Sequence, residues 1–156
     1  MFARGVDFSN STTGAGNRAI LTYLAPRLMD SSSAGTGVVI LSSIQYIGAT
    51  TCIGCANQGH AVFLRQLTVG NAGLFSSRFG TVPAASMAND GTGTVTNPYT
   101  DPSVRADGIL LAIPNVDGTI MNDNQIAYIS ETYFTSTDFD ISGFLRPGGI
   151  YARAIL

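Results

Sequence analysis

Apolar positions follow two rhythms along this chain, and the change of rhythm divides it. From Gly14 to Met29, Ile20, Leu21, Leu24 and Leu28 recur at helical spacing. The run Ser9-Asn10-Ser11-Thr12-Thr13 before them supplies N-cap residues. Pro26 falls late in the segment, where its missing N–H removes the bond back to Thr22, and Asp30–Gly35 is a polar stop. From Gly37 the rhythm shortens. The stretch VVILSSIQYI between Gly37 and Gly48 is rich in β-branched residues, and its first half is apolar on both faces. That predicts a central strand covered on one side. Ala61–Gly70 predicts a second strand, with Phe63, Leu67 and Val69 on one face beside Arg65, and Val62 and Leu64 opposite. The pair reads as an antiparallel hairpin whose connection carries both cysteines.

Residues 70–107 break the pattern with Gly80, Pro83, Gly91, Gly93, Pro98 and Pro102. A connection of this length is usually functional or mobile. Ile109–Ile113, closed by Pro114, predicts a short helix or strand. Gln125–Thr135 alternates as a third strand, and Gly149–Leu156 as a fourth after the turn residues Leu145–Gly149. No internal repeat is visible. The expectation is one domain, 1–156, of α+β class: an N-terminal helix packed on an antiparallel sheet of about four strands, pilin-like in plan. The 70–107 excursion is expected to tolerate shortening and to present Leu74, Phe75, Phe79 and Tyr99 as a contact surface.

Composition narrows the partners. Hydrophobic residues make up 45% of the 156 and charged residues 12%, about half the usual share, so the chain has enough apolar surface to fold. All eight basic residues are arginines, the net charge is −2, and no basic cluster exists. Nucleic acid is therefore excluded as an expected partner, and so is a charged membrane surface. The longest apolar run, Val38–Leu41, is far short of the roughly 20 residues that span a bilayer. The start, MFARGVDFSN, has no apolar signal region. Low charge with abundant Gly, Ser, Thr and Asn nevertheless suits an extracytoplasmic setting, which leads to the expectation of a segment preceding Met1.

The candidate chemistry gathers in TCIGCANQGH, Thr51–His60, which holds both cysteines and the only histidine. Haem attachment needs a histidine directly after the second cysteine, where Ala56 stands. Structural zinc needs four ligands, and Cys52, Cys55 and His60 supply three, with Arg65 where a knuckle would place the fourth. A thiol–disulfide oxidoreductase is the enzymatic alternative, but it sets its first cysteine at a helix N-terminus, and the residues after Cys55 lead into a strand. The preferred reading is a Cys52–Cys55 disulfide, a staple worth about 2 kcal/mol for so small a ring. His60 has no companion nucleophile motif. Asn89–Gly93 and Asn122–Asn124 lack the spaced carboxylates of a calcium loop and read as turns. Asp138 and Asp140 read as solvated acids, and Asn10-Ser11-Thr12 fits a glycosylation sequon. No catalytic residue, metal or cofactor is expected.

Several pieces taken in order carry a resemblance: FARGVDFSNS, NRAILTYLAPRL, VVILSSIQYI, CANQGHAVFLRQLTVGN and QIAYISETYFT. Together they resemble the extracytoplasmic part of TadE-like proteins, the pilin-like components of tight-adherence pilus systems, over nearly the whole chain. The resemblance implies a non-enzymatic structural role in pilus assembly or adhesion, with other pilus subunits, or further copies of itself, as partners. It implies membrane contact only through an N-terminal helix that this chain lacks. A different assembly is open as well: a soluble filament subunit whose strand Gly149–Leu156 pairs with a neighbour by strand addition.

Overall fold

β-Branched and alternating segments form four strands among the residues described by a computed structural model, 30–111, 121–135 and 149–156. The strands are β1 (Gly37–Ile47), β2 (His60–Gly70), β3 (Ile126–Phe134) and β4 (Ile150–Ile155). They form one antiparallel sheet in the order β2-β1-β3-β4. β1 and β2 are a hairpin, and β1 is central, as its double-sided apolar sequence requires.

The α+β expectation is corrected. Among the described residues there is no α-helix; outside the sheet they form only 3-10 turns at Ala84–Ser86, Pro102–Val104 and Asp107–Leu111. The class visible there is antiparallel β. The segment expected to be a helix, Gly14–Met29, lies outside the described residues, as do the Asn10 sequon, Asp138 and Asp140, and most of the turn at 145–149. Among the described residues no helix is long and apolar enough to cross a membrane.

Register assigns the faces. Val38, Ile40, Ser42 and Ile44 of β1 stand opposite Tyr133, Glu131, Ile129 and Ala127 of β3. Tyr151, Arg153 and Ile155 of β4 continue that face beyond β3. The 70–107 excursion packs on it: Phe79, Val82, Val95, Val104 and Ala106 join Ile44, Val62, Phe63, Ala127 and Ile129 in a single buried cluster. Each such valine, isoleucine or phenylalanine side chain contributes about 1.5–3 kcal/mol if fully buried. The expectation of a loop that can be changed freely is therefore corrected, because its valines and Phe79 are core residues. Gly and Pro here mark a chain that bends closely over the sheet.

Strict alternation on β2 is also corrected. The register slips between Ser43 and Ile44, so that Ser43 faces Arg65 and Ile44 faces Phe63. Leu64 is the extra residue of this bulge, and Ala61, Val62 and Phe63 are all buried in succession. The carbonyl of Leu64 accepts the Val95 N–H at 2.9 Å, which brings the excursion to the strand edge.

Candidate functional site

The cysteine loop joins β1 to β2 and is held at its base by one carboxylate. Asp123 accepts the backbone N–H groups of Gly48 and Thr50 at 2.6 Å, that of Thr51 at 3.1 Å, and both threonine hydroxyls. The hydroxyls of Thr50 and then Thr51, followed by the amides of Thr50 and Gly48, hold its carboxyl far below the usual carboxylate range. Gly48 is required here, because a Cβ would meet the Asp123 Cγ at 2.4 Å.

The far side of the loop is tied to the excursion through Asn57, which is fully buried. Its Nδ2 donates to the carbonyls of Pro98 at 2.9 Å and Asp101 at 2.7 Å. Its Oδ1 accepts from Arg105 Nε at 2.8 Å, and Arg105 Nη2 donates to the Ala56 carbonyl at 2.7 Å. His60 pairs through Nδ1 with Asp107 Oδ2 at 2.8 Å, and Asp107 Oδ1 accepts the Ala61 N–H at 3.1 Å. An Asp–His pair can orient an imidazole for proton transfer, but a triad needs a nucleophile at the other ring nitrogen. Among the described residues no hydroxyl or thiol bonds to it.

Cys52 and Cys55 are free thiols in the structure, so the expected bridge is not formed in it. The Cys55 Sγ donates to the Cys52 carbonyl at 3.5 Å. The Cys52 thiol is pushed above its usual range, first by its hydrogen bond with Cys55 and then by desolvation. A redox nucleophile needs the opposite shift, toward thiolate. Among the described residues no three His, Cys, Asp or Glu side chains gather as a metal site. The two turns weighed for calcium have structural uses: Asp90 Oδ1 accepts the Thr92 N–H and hydroxyl, and Asp123 holds the cysteine loop.

A second polar centre escaped the sequence reading. Glu131, the sole glutamate, is fully buried on the packed face. It accepts from the Arg78 N–H at 3.1 Å, the Tyr151 hydroxyl at 2.9 Å and the Ser77 hydroxyl. Burial, and then the bond to Glu131, push the Tyr151 phenol up. Phe75 stacks on Tyr133 at 5.5 Å and tilts against Tyr151 at 5.0 Å. The Arg78 guanidinium sits 4.5 Å over Tyr151, and that of Arg153 sits 5.5 Å over Phe79. The usable signal was phase: Glu131 occupies the same alternation as buried Ala127 and Ile129.

The four expected contact residues are therefore dispersed. Phe79 is core, Phe75 lies against two tyrosines, Leu74 is half-buried, and Tyr99 is exposed with its hydroxyl 3.4 Å from Gln45 Oε1. They do not form one surface.

The outer strands offer the remaining candidate. Along β2 the excursion supplies partners: Gln66 N–H donates to Gly93 O at 2.9 Å, Val95 N–H to Leu64 O, and Ala106 N–H to Ala61 O at 2.8 Å. The Gln66 side chain adds bonds to Gly80 O and from Val82 N–H. Gly93 has φ +72°, and a Cβ there would strike the Gln66 carbonyl oxygen at 2.1 Å. On β4, Leu156 and Tyr128 exchange both backbone bonds, at 2.9 and 3.0 Å. Ile150, Ala152 and Ala154 share that phase, so the N–H and C=O groups of Tyr151, Arg153 and Ile155 point away from β3. Among the described residues nothing pairs with them. Beside this edge, on the second face, lie Ile150, Ala152, Ala154 and Leu156, with Tyr128 and Ile126 of β3; all six are exposed and none is charged.

No protein-family model matches this chain, and neither a curated protein nor a solved structure is significantly similar to it.

Proposed function

We propose that this chain is a non-enzymatic structural subunit of a bacterial pilus or surface fibre, acting in an extracytoplasmic setting as the resemblance to TadE-like proteins implies. The observation that carries the reading is a β4 edge that no described residue pairs with, beside an uncharged apolar strip, which is what a subunit offers to a neighbour. The use of the polar groups supports it. Glu131 and the His60–Asp107 pair fasten the excursion to the sheet, and Asp123 and Asn57 fasten the cysteine loop to its neighbouring loops. The oxidoreductase reading loses support because the residues after Cys55 turn into β2 and open no helix whose N-terminus could activate a thiol.

Two measurements test the proposal. In the source bacterium, antibody against the chain labels surface fibres, and in-frame deletion of its gene depletes them; a cytosolic label with unchanged fibres contradicts the reading. Dithiothreitol reduces insulin disulfides no faster with the purified protein present than without it, and Cys52→Ser is indistinguishable from wild type. Turnover that depends on Cys52 reinstates the enzyme.

A further inference from the structure

We infer that the neighbour at β4 is a second copy of this chain, paired antiparallel strand to strand about a two-fold axis at Ala152, so that two four-stranded sheets become one. The inference rests on the structural-subunit reading, and the two fail separately: Cys52-dependent turnover removes that reading, and a chain that does not self-associate removes this one.

The register follows from charge and phase. Opposed residues in an antiparallel pair share a face, so a two-fold pairing must place one residue opposite its own copy. With Arg153 on the axis, two guanidiniums face each other, and like charges directly opposite destabilise a sheet. With Tyr151 or Ala154 on the axis, the strands overlap over fewer residues. With Ala152 on the axis, Tyr151 of one copy meets Arg153 of the other on the packed face, and the outward amides of both exchange bonds. Each Arg153 then has an uncharged phenol side chain opposite it in place of a second guanidinium, and Arg78 over Tyr151 and Arg153 over Phe79 keep their places. On the second face Ala152 meets Ala152 and Ile150 meets Ala154, small and uncharged groups that let the backbones approach. Edge strands that avoid pairing carry lysine, proline, a bulge or a covering loop. Among the described residues β4 has none of these, with only Arg153 charged and that residue on the other face.

Sedimentation velocity on the full chain, across a concentration series, shows a reversible monomer–dimer equilibrium. Ala152→Lys and Ala152→Glu, each at an exposed position, are each monomeric at concentrations where wild type is dimeric. Mixing the two variants restores the dimer, with an affinity that falls as salt rises. A wild type that stays monomeric, or a dimer that persists in both charged variants, overturns the pairing. A dimer lost in both variants and not restored by mixing overturns the two-fold register at Ala152.

Discussion

β2 and β4 are both outer strands of the same sheet, yet β2 is lined by residues 93–95 and 105–106 of the excursion and β4 by no described residue. The covering of β2 has a local cause. β2 is followed by a chain whose glycines let backbone reach backbone, with Gly93 O 2.9 Å from Gln66 N, and whose Phe79, Val82, Val95 and Val104 fix it there by burial. β4 is short, six residues, with one row of side chains on the packed face and the other row exposed. Along β2 the strand edge is thus completed by a flanking chain that buries its own apolar side chains against the sheet.

The largest break in that comparison is to uncover β2. Deleting Ala88–Thr96 removes Gly93 and Val95 from the edge and leaves Gln66 N–H and Leu64 O without partners. Closing a shorter loop alone changes stability by well under about 1 kcal/mol. The deletion nevertheless abolishes the cooperative thermal transition, because it opens the core. Phe79→Ala retains the transition but costs about 3–5 kcal/mol in urea unfolding.

Next comes the link between excursion and cysteine loop. Asn57→Ala strands Arg105 Nε and two carbonyls in a buried position, a loss of about 1–3 kcal/mol. The acid behaviour of Asp123 sharpens the picture from the other end of the loop. Its carboxyl is lowered in the folded state, so it contributes stability that is fully present above the ordinary carboxylate range of about 4 and is lost as pH falls below it. Thermal scans of Asp123→Asn are therefore flatter than wild type from about pH 4 downward. A variant that tracks wild type through that window rules the anchor out. The smallest effect belongs to β4: Ala152→Lys, measured dilute, changes stability by no more than about 0.5 kcal/mol.

How far the sequence foretold this architecture depended on the kind of signal. Strands β1 to β3 were legible because Val, Ile, Phe and Tyr cluster between glycines and polar turns, and β1's two-sided apolar half marked it as central. The covering of β2 was not legible, since its bridges at Arg65–Thr94 and Val62–Arg105 involve single residues amid Gly and Pro, with no periodicity to detect. The α+β class rested on Gly14–Met29, and among the described residues only sheet and 3-10 turns stand. Glu131, Asn57 and Asp123 were missed because a buried polar group is defined by partners distant in sequence: Ser77 and Arg78 for the first, Pro98 and Arg105 for the second, Thr50 and Thr51 for the third. His60 and the cysteines drew notice by residue type alone, and geometry gave them structural neighbours.

Amide hydrogen exchange, read residue by residue at low and high protein concentration, tests the contrast between the two edges most directly. Gln66 and Val95 amides are expected to be protected at every concentration, as are Ala152 and Ala154, which bond inward to β3. Tyr151, Arg153 and Ile155 amides exchange freely in dilute solution, and Tyr151 and Arg153 gain protection as the protein is concentrated. Protection of those three in dilute solution, or rapid exchange at Gln66 and Val95, contradicts it.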